Sequence, residues 1–171
     1  MSAALSFRER LAFDEARGEI RDQSRRYMLI RPDALMGVFR RLPEPSRMEA
    51  LQALAESIFE QGSDSARAYR AHHGADGEAL AHLVADTAPQ LGWGLWRFEV
   101  AKGRIGLTVA NSPFAAGFGR AEKPVCFPVV GMLRAVSTLV FGRDGEASET
   151  ECAACGAEAC RFAARPREEQ G

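Results

Sequence analysis

Apolar residues recur at helical spacing through the first half of the chain. Ser46 and Glu49 have the spacing of a capping box, and Leu51, Leu54, Ala55 and Ile58 follow at i, i+3, i+4 and i+7, so a helix is predicted from Ser46 that ends or bends at Gly62. Upstream, the short apolar run Tyr27 to Ile30 stops at Arg31-Pro32 and is predicted as extended, because a residue preceding proline is pushed out of the helical region. Asp33 then caps a helix carrying Ala34, Leu35, Val38 and Phe39. A third amphipathic stretch places Leu80, Leu83, Val84 and Thr87 on one face before Pro89 stops it. Residues 1–24 show only weak periodicity and are expected to be partly flexible or dimer-forming.

From Gly92 the period changes to two. Trp96, Phe98 and Val100 alternate with Arg97 and Glu99; after Lys102-Gly103, Ile105, Leu107 and Val109 alternate again, which is a hairpin pattern. Asn111-Ser112-Pro113 breaks the second strand. Phe114 to Glu122 has two glycines and no clear period, and is expected to be a loop or mobile flap. A helix is predicted to start between Pro124 and Pro128 and to bury Val129, Met132, Leu133, Val136 and Val140, with Gly142 and Gly145 at its end. Glu146 to Cys152 and Cys160 to Ala164 read as two short strands around a Cys155-Gly156 turn. The pattern predicts an α/β (α+β) fold, helices packed on one face of a small antiparallel sheet.

A length of 171 residues fits one domain, set at residues 25–165 between the N-terminal segment and a flexible tail at 166–171. Twenty-two Lys plus Arg against 23 Asp plus Glu leave a formal charge of −1, which argues against a nucleic-acid or anionic-membrane partner. No apolar run approaches the roughly 18 residues of a membrane span, and Arg8, Glu9 and Arg10 stand where a signal peptide would be apolar. A cytoplasmic location is expected.

All four cysteines lie in the last third, where a reducing compartment favours metal binding or chemistry over disulfides. Cys152, Cys155 and Cys160 form a C-x2-C-x4-C run at a turn, and Cys126 adds a fourth sulfur if its helix start packs beside the terminal hairpin. Glu149, three residues before Cys152, offers a different fourth ligand and would leave Cys155 a bystander. Zinc suits either set, with a structural role. Three thiolates and a carboxylate would carry a formal −2 with Zn2+, to be offset by backbone N–H groups or by Lys123, Arg143 or Arg161. The competing readings are free thiols packed as small hydrophobes and a Cys152-x2-Cys155 redox pair, the latter without the strand-then-helix context such motifs have.

Three stretches resemble the 4-vinyl reductase domain family: Leu91-Gly92-Trp93-Gly94, Val109 to Ala115, and Pro124-Val125-Cys126 through Gly131 on to Glu149-x2-Cys152-x3-Gly156-x3-Cys160-x-Phe162. The resemblance spans about Tyr27 to Phe162. That family includes a protein linked to bacteriochlorophyll synthesis, sensor domains of aromatic-responsive transcription activators and archaeal stand-alone proteins, with a fold similar to TRAPP vesicle-tethering subunits. The resemblance implies zinc held by Cys126, Glu149, Cys152 and Cys160 and a hydrophobic or aromatic small-molecule ligand such as a tetrapyrrole intermediate. A homodimer through the N-terminal helices is expected. The chain departs from the phenol-sensing members at Ala110, where they place a tryptophan, which argues against phenol itself. The activators also carry an ATPase and a DNA-binding domain, for which 171 residues leave no room, so regulation would act through a protein partner.

Trp93, Trp96, Phe98, Phe114, Phe118, Phe127 and Met132 are the candidate ligand-binding residues, since aromatic and methionine side chains line adaptable apolar cavities; each is equally at home in plain core packing. His72, His73 and His82 could anchor a tetrapyrrole metal but sit in polar surroundings typical of solvated residues. Arg31, Arg97 and Arg104 could pair with ligand carboxylates or be ordinary surface charges. Vinyl reduction needs a hydride donor, and no strand-linked G-x-G-x-x-G, other nicotinamide or flavin motif, or Ser/His/Asp or Cys/His set is evident. Catalysis is therefore the alternative reading and binding the preferred one.

Overall fold

Strand register explains why one face of the sheet is apolar. The fold, obtained as a computed structural model, describes residues 6–73 and 77–168; the side chains of residues 65, 66 and 68–73 lie outside that description. Four antiparallel strands, β4 (Leu95–Ala101), β5 (Arg104–Ala110), β6 (Gly145–Glu151) and β7 (Cys160–Pro166), are ordered β4-β5-β7-β6. Pairing lines up three rows of side chains: Trp96, Val109 and Cys160; Phe98, Leu107, Phe162 and Glu149; Val100, Ile105, Ala164 and Ala147. Because side chains alternate between faces with period two, these rows share the inner face, and Arg97, Thr108, Arg161 and Ser148 fall on the outer one.

Helix α6 (Phe127–Phe141) covers this inner face, contacting β6 and β7. It is apolar nearly all round, as a helix buried on several sides must be. Its one charged residue, Arg134, is half-buried and held by Glu56 at 2.8 Å, with the guanidinium 4.0 Å from the Phe59 ring centre. Both partners lie on α3 (Ser46–His73), which packs along α6. Gly62 does not end or bend α3. A Cβ at that position would stand 3.3 Å from the Ala135 Cβ and the Met132 Sδ, so glycine serves a close helix crossing and the helix runs on. The crossing is tighter still at Gly131, where a Cβ would overlap the Ala55 carbonyl oxygen.

Helix α2 (Pro32–Arg41) and α4 (Gly77–Thr87) complete the helical layer, with α4 against β4 and α6. His82 on α4 is exposed, while His72 and His73 fall where side chains are outside the described set. Helix α5 (Pro113–Phe118) occupies the stretch expected to be a flap. The Ser112 hydroxyl accepts the Ala115 N–H, Pro113 takes the first turn, and Phe114, Ala115, Gly117 and Phe118 are buried. A Cβ on Gly117 would overlap the Pro32 carbonyl oxygen, so α5 lies pressed on the start of α2 as a packed helix and not as an open loop.

The stretch with weak periodicity also carries structure. Helix α1 (Phe7–Arg10), closed by a Ser6/Glu9 capping box, precedes a meander of β1 (Ala12–Asp14), β2 (Glu19–Asp22) and β3 (Arg25–Tyr27). Three- and four-residue strands are too short to show periodicity, which is why the pattern was silent there. Of the run Tyr27 to Ile30, only Tyr27 is in a strand; Met28 and Leu29 are 77% and 85% exposed. At the other end β7 continues through Pro166, and Arg167 is tied back to Asp144, so order extends past the expected start of the tail. Among the described residues, no helix is long and apolar enough to cross a membrane.

Candidate metal centre and aromatic cluster

Cys126 is the N-cap of α6, placed there because the prolines at 124 and 128 bracket a helix start. Cys160 opens β7 on its inner face, and Cys152 follows the last residue of β6. Glu149 and Cys152 are three apart, which on a regular strand would put them on opposite faces. The pairing slips between Glu149 and Glu151, so one extra residue enters β6; Thr150 and Glu151 both face solvent, and Cys152 returns to the side of Glu149.

The four ligand atoms of Cys126, Glu149, Cys152 and Cys160 lie within 4.8 Å of one another. The Cys126 sulfur is 3.6 Å from that of Cys160 and 4.0 Å from that of Cys152. Sulfurs about 2.3 Å from a tetrahedral centre stand about 3.8 Å apart, so the spacing suits a single ion. One Glu149 oxygen accepts the Cys126 N–H at 2.8 Å, while the other is buried with no N–H or O–H donor, the carboxyl's remaining partners being the Cys152 and Cys126 sulfurs. A buried carboxylate oxygen facing three sulfurs and lacking a donor is the pattern a cation satisfies. This group could therefore hold a metal. Cys155 is exposed on the turn and outside the group.

Without a cation, the cluster cannot carry all its charges. Hydrogen bonds with Cys126 and Cys160 hold the Cys152 thiol far below its ordinary value, and the bonds of Cys126 with Cys152 and Cys160 push Cys126 far above. Cys160 is drawn down by Cys126 but, against Cys152 and burial, ends at about 12. Burial first, then the bond to and charge of Cys152, raise the Glu149 carboxyl to about 8. Donors converge on the sulfurs: the Ala153 N–H reaches Cys160 at 3.3 Å, the Val125 N–H bonds Cys152, and the Ser112 hydroxyl lies 3.3 Å from Cys126. The side-chain cations considered from the sequence are elsewhere. Arg161 pairs with Glu151 at 3.2 Å, and Lys123 and Arg143 are exposed.

The aromatic candidates divide into two groups. Trp93 meets Phe114 edge-on at 5.0 Å between ring centres and Trp96 at 6.3 Å, and Trp96 lies 6.0 Å from Phe98, so these four are contiguous. The Trp96 indole N–H donates to the Trp93 carbonyl at 2.9 Å. Phe118 instead sits under the Arg47 guanidinium at 5.8 Å, Met132 meets Gly62, and Phe127 is half-buried beside the same core. Arg31 is paired with Asp33; Arg97 and Arg104 are exposed on the sheet. Ser112 is the residue that sequence reasoning missed: Asn111-Ser112-Pro113 reads only as a strand break, and nothing in the pattern puts its hydroxyl on a cysteine.

Residues 105–166 match the 4-vinyl reductase domain. No curated protein matches the chain. Among solved structures, the chain is similar to the phenol-responsive sensory domain of the transcription activator PoxR with phenol (22% identity, TM-score 0.74, 92% of this chain and 85% of that one). It is also similar to trafficking protein particle complex subunit 3 from Naegleria fowleri covalently bound to palmitic acid (14% identity, TM-score 0.55, 80% and 95% of the two chains). A third similarity is to a vinyl-4-reductase family protein from Methanocaldococcus jannaschii (13% identity, TM-score 0.48, 83% and 98%). The first two likenesses show the fold, a helical layer on an antiparallel sheet. The resemblance read from the cysteine and hairpin motifs therefore stands: from β5 through β7, this chain matches the 4-vinyl reductase domain family.

Proposed function

We propose that this protein is a zinc-stabilised domain that binds a small hydrophobic or aromatic molecule. The observation that carries the reading is the convergence of Cys126, Glu149, Cys152 and Cys160 on one point at the edge of the aromatic cluster, with a buried carboxylate oxygen that has no donor. Three sulfurs and one carboxylate suit Zn2+, and four protein ligands leave no open position, so the ion's part is structural. When bound, it cross-links the start of α6 to the β6–β7 turn. The chain's own residues do the rest: backbone N–H groups and Ser112 offset the sulfur charge, and Trp93, Trp96, Phe98 and Phe114 present an apolar, polarisable surface. A reducing cytoplasm would keep the thiols available.

The PoxR sensory domain, which binds phenol in its structure, supports a monoaromatic ligand, and tetrapyrrole intermediates are the larger candidates from the 4-vinyl reductase resemblance. A second copy of the chain is the proposed partner. Met28, Leu29 and Ile30 form an exposed apolar strip, flanked between residues 6 and 33 by seven arginines and six carboxylates, a balance that tolerates its own image better than a polyanion. Native mass spectrometry tests the reading: one zinc per chain in a dimer is expected, with Cys155 alone reacting rapidly with maleimide. Quenching of the two tryptophans by a panel of phenols and porphyrins then reports the ligand. Protein without zinc, or with all four thiols equally reactive, would overturn it.

A further inference from the structure

Ser112 joins the two halves of the site. Its hydroxyl lies 3.3 Å from the Cys126 sulfur and also accepts the Ala115 N–H at 3.4 Å, capping α5. A hydroxyl has one hydrogen to give and two lone pairs, so it can donate to sulfur and accept from the helix at once. Ser112 is itself buried. Two residues on, Phe114 is packed edge-on against Trp93. On the other side Asn111 adopts φ +56°, and a Cβ on Gly94 would stand 2.9 Å from its carbonyl oxygen, so the backbone before Ser112 is wedged against the residue after Trp93. The cysteine sulfur, the α5 cap and the tryptophan are thus held in one rigid series.

We propose that Ser112 is a positioning residue that couples occupation of the metal centre to the aromatic cluster. The inference rests on the metal reading above. A metal would fix the Cys126 sulfur in place, and the Ser112 hydroxyl 3.3 Å away would be held on it, and with it the α5 cap and Phe114. Without the ion the Cys126 side chain is not anchored, and the Ser112 hydroxyl loses that fixed partner. Trp93 and Trp96 are the only tryptophans, so their emission reads the cluster directly.

Cobalt(II) serves as the probe, because its thiolate charge-transfer absorption reports binding independently of fluorescence. Wild-type protein is expected to bind one cobalt and to change its tryptophan emission in step. Ser112→Ala should bind cobalt at least tenfold more weakly, as loss of a ligand's hydrogen-bond partner does, and its emission should no longer follow the absorption. Ser112→Thr, which keeps the hydroxyl, should restore both. Loss of the helix cap alone would lower melting equally with and without metal, whereas loss of the sulfur donor shrinks only the metal-dependent increment. Ser112→Ala with wild-type affinity, with emission still tracking cobalt, or with equal melting losses in both states would overturn the proposal. Absence of cobalt absorption in wild-type protein would overturn the metal reading as well.

Discussion

Replacing Glu149 by glutamine should move the metal-free and zinc-loaded proteins in opposite directions. In the metal-free chain the Glu149 carboxyl sits at about 8 because burial and the neighbouring Cys152 oppose its ionisation, while its ordinary value is 4.5. A raised carboxyl contributes stability that is complete below about 4.5 and lost progressively as pH rises to about 8. At pH 7 the difference spans about 2.5 pH units, or about 3 kcal/mol at 1.36 kcal/mol per unit, and about 2 kcal/mol after allowing for partial exposure. Glutamine mimics the neutral acid: its carbonyl can keep the Cys126 N–H bond and its NH2 can donate to sulfur. Metal-free Glu149→Gln should therefore melt roughly 4–8 °C higher than wild type at pH 7, and nearly level with it at pH 4.5. With zinc the sign reverses, because an amide nitrogen replaces a ligating oxygen; affinity should fall by more than the 10–100-fold typical of losing an outer hydrogen-bond partner. Differential scanning calorimetry at the two pH values, with and without zinc, checks this. Equal destabilisation of Glu149→Gln in all four conditions would refute the reasoning and make the carboxylate an ordinary structural acceptor.

Cys155→Ser should leave zinc content and melting unchanged, whereas Cys160→Ser should lose zinc by atomic absorption, since only the second is in the cluster. Zinc uptake by the metal-free protein should release protons into weakly buffered solution, and apparent affinity should climb from pH 6 to 8, because Glu149, Cys126 and Cys160 are held protonated before the ion enters. Gly131→Ala should cost about 3 kcal/mol and roughly 6–12 °C in thermal melting, as its methyl would lie against the Ala55 backbone and not a movable side chain. Met28→Lys with Leu29→Lys should shift sedimentation toward monomer with zinc content intact, both side chains being exposed and distant from the cluster in sequence.

The β4–β5 hairpin, the α6 helix and the terminal strands were legible because each has a strong period and clear punctuation. Gly62 misled because a glycine inside a helical pattern can mark either a break or a close approach, and only the position of α6 decides between them. The stretch after Ser112 misled for the opposite reason: glycine content outweighed a cap and a first-turn proline in a helix only six residues long. The candidate sulfur ligands followed from residue type and spacing. The family resemblance favoured Glu149 over Cys155, and the structure brings Glu149 to the cluster through a slip in β6 that no local pattern marks. Contacts joining α5 to the metal centre pair residues 14 apart across an irregular segment, beyond the reach of any periodicity argument.

That slip also says where this chain can change length. Turns ordinarily absorb insertions and strand interiors resist them, but here the contrast is unusually sharp. Exposed positions around Cys155, Gly156 and Glu158 can lengthen without turning Cys152 or Cys160 away from their shared centre. Deleting Thr150, although it is exposed and at the sheet's edge, would restore a regular pleat and swing the Cys152 sulfur out into solvent. A single surface residue thus acts as a phase key for the cage, and its identity matters far less than its being counted.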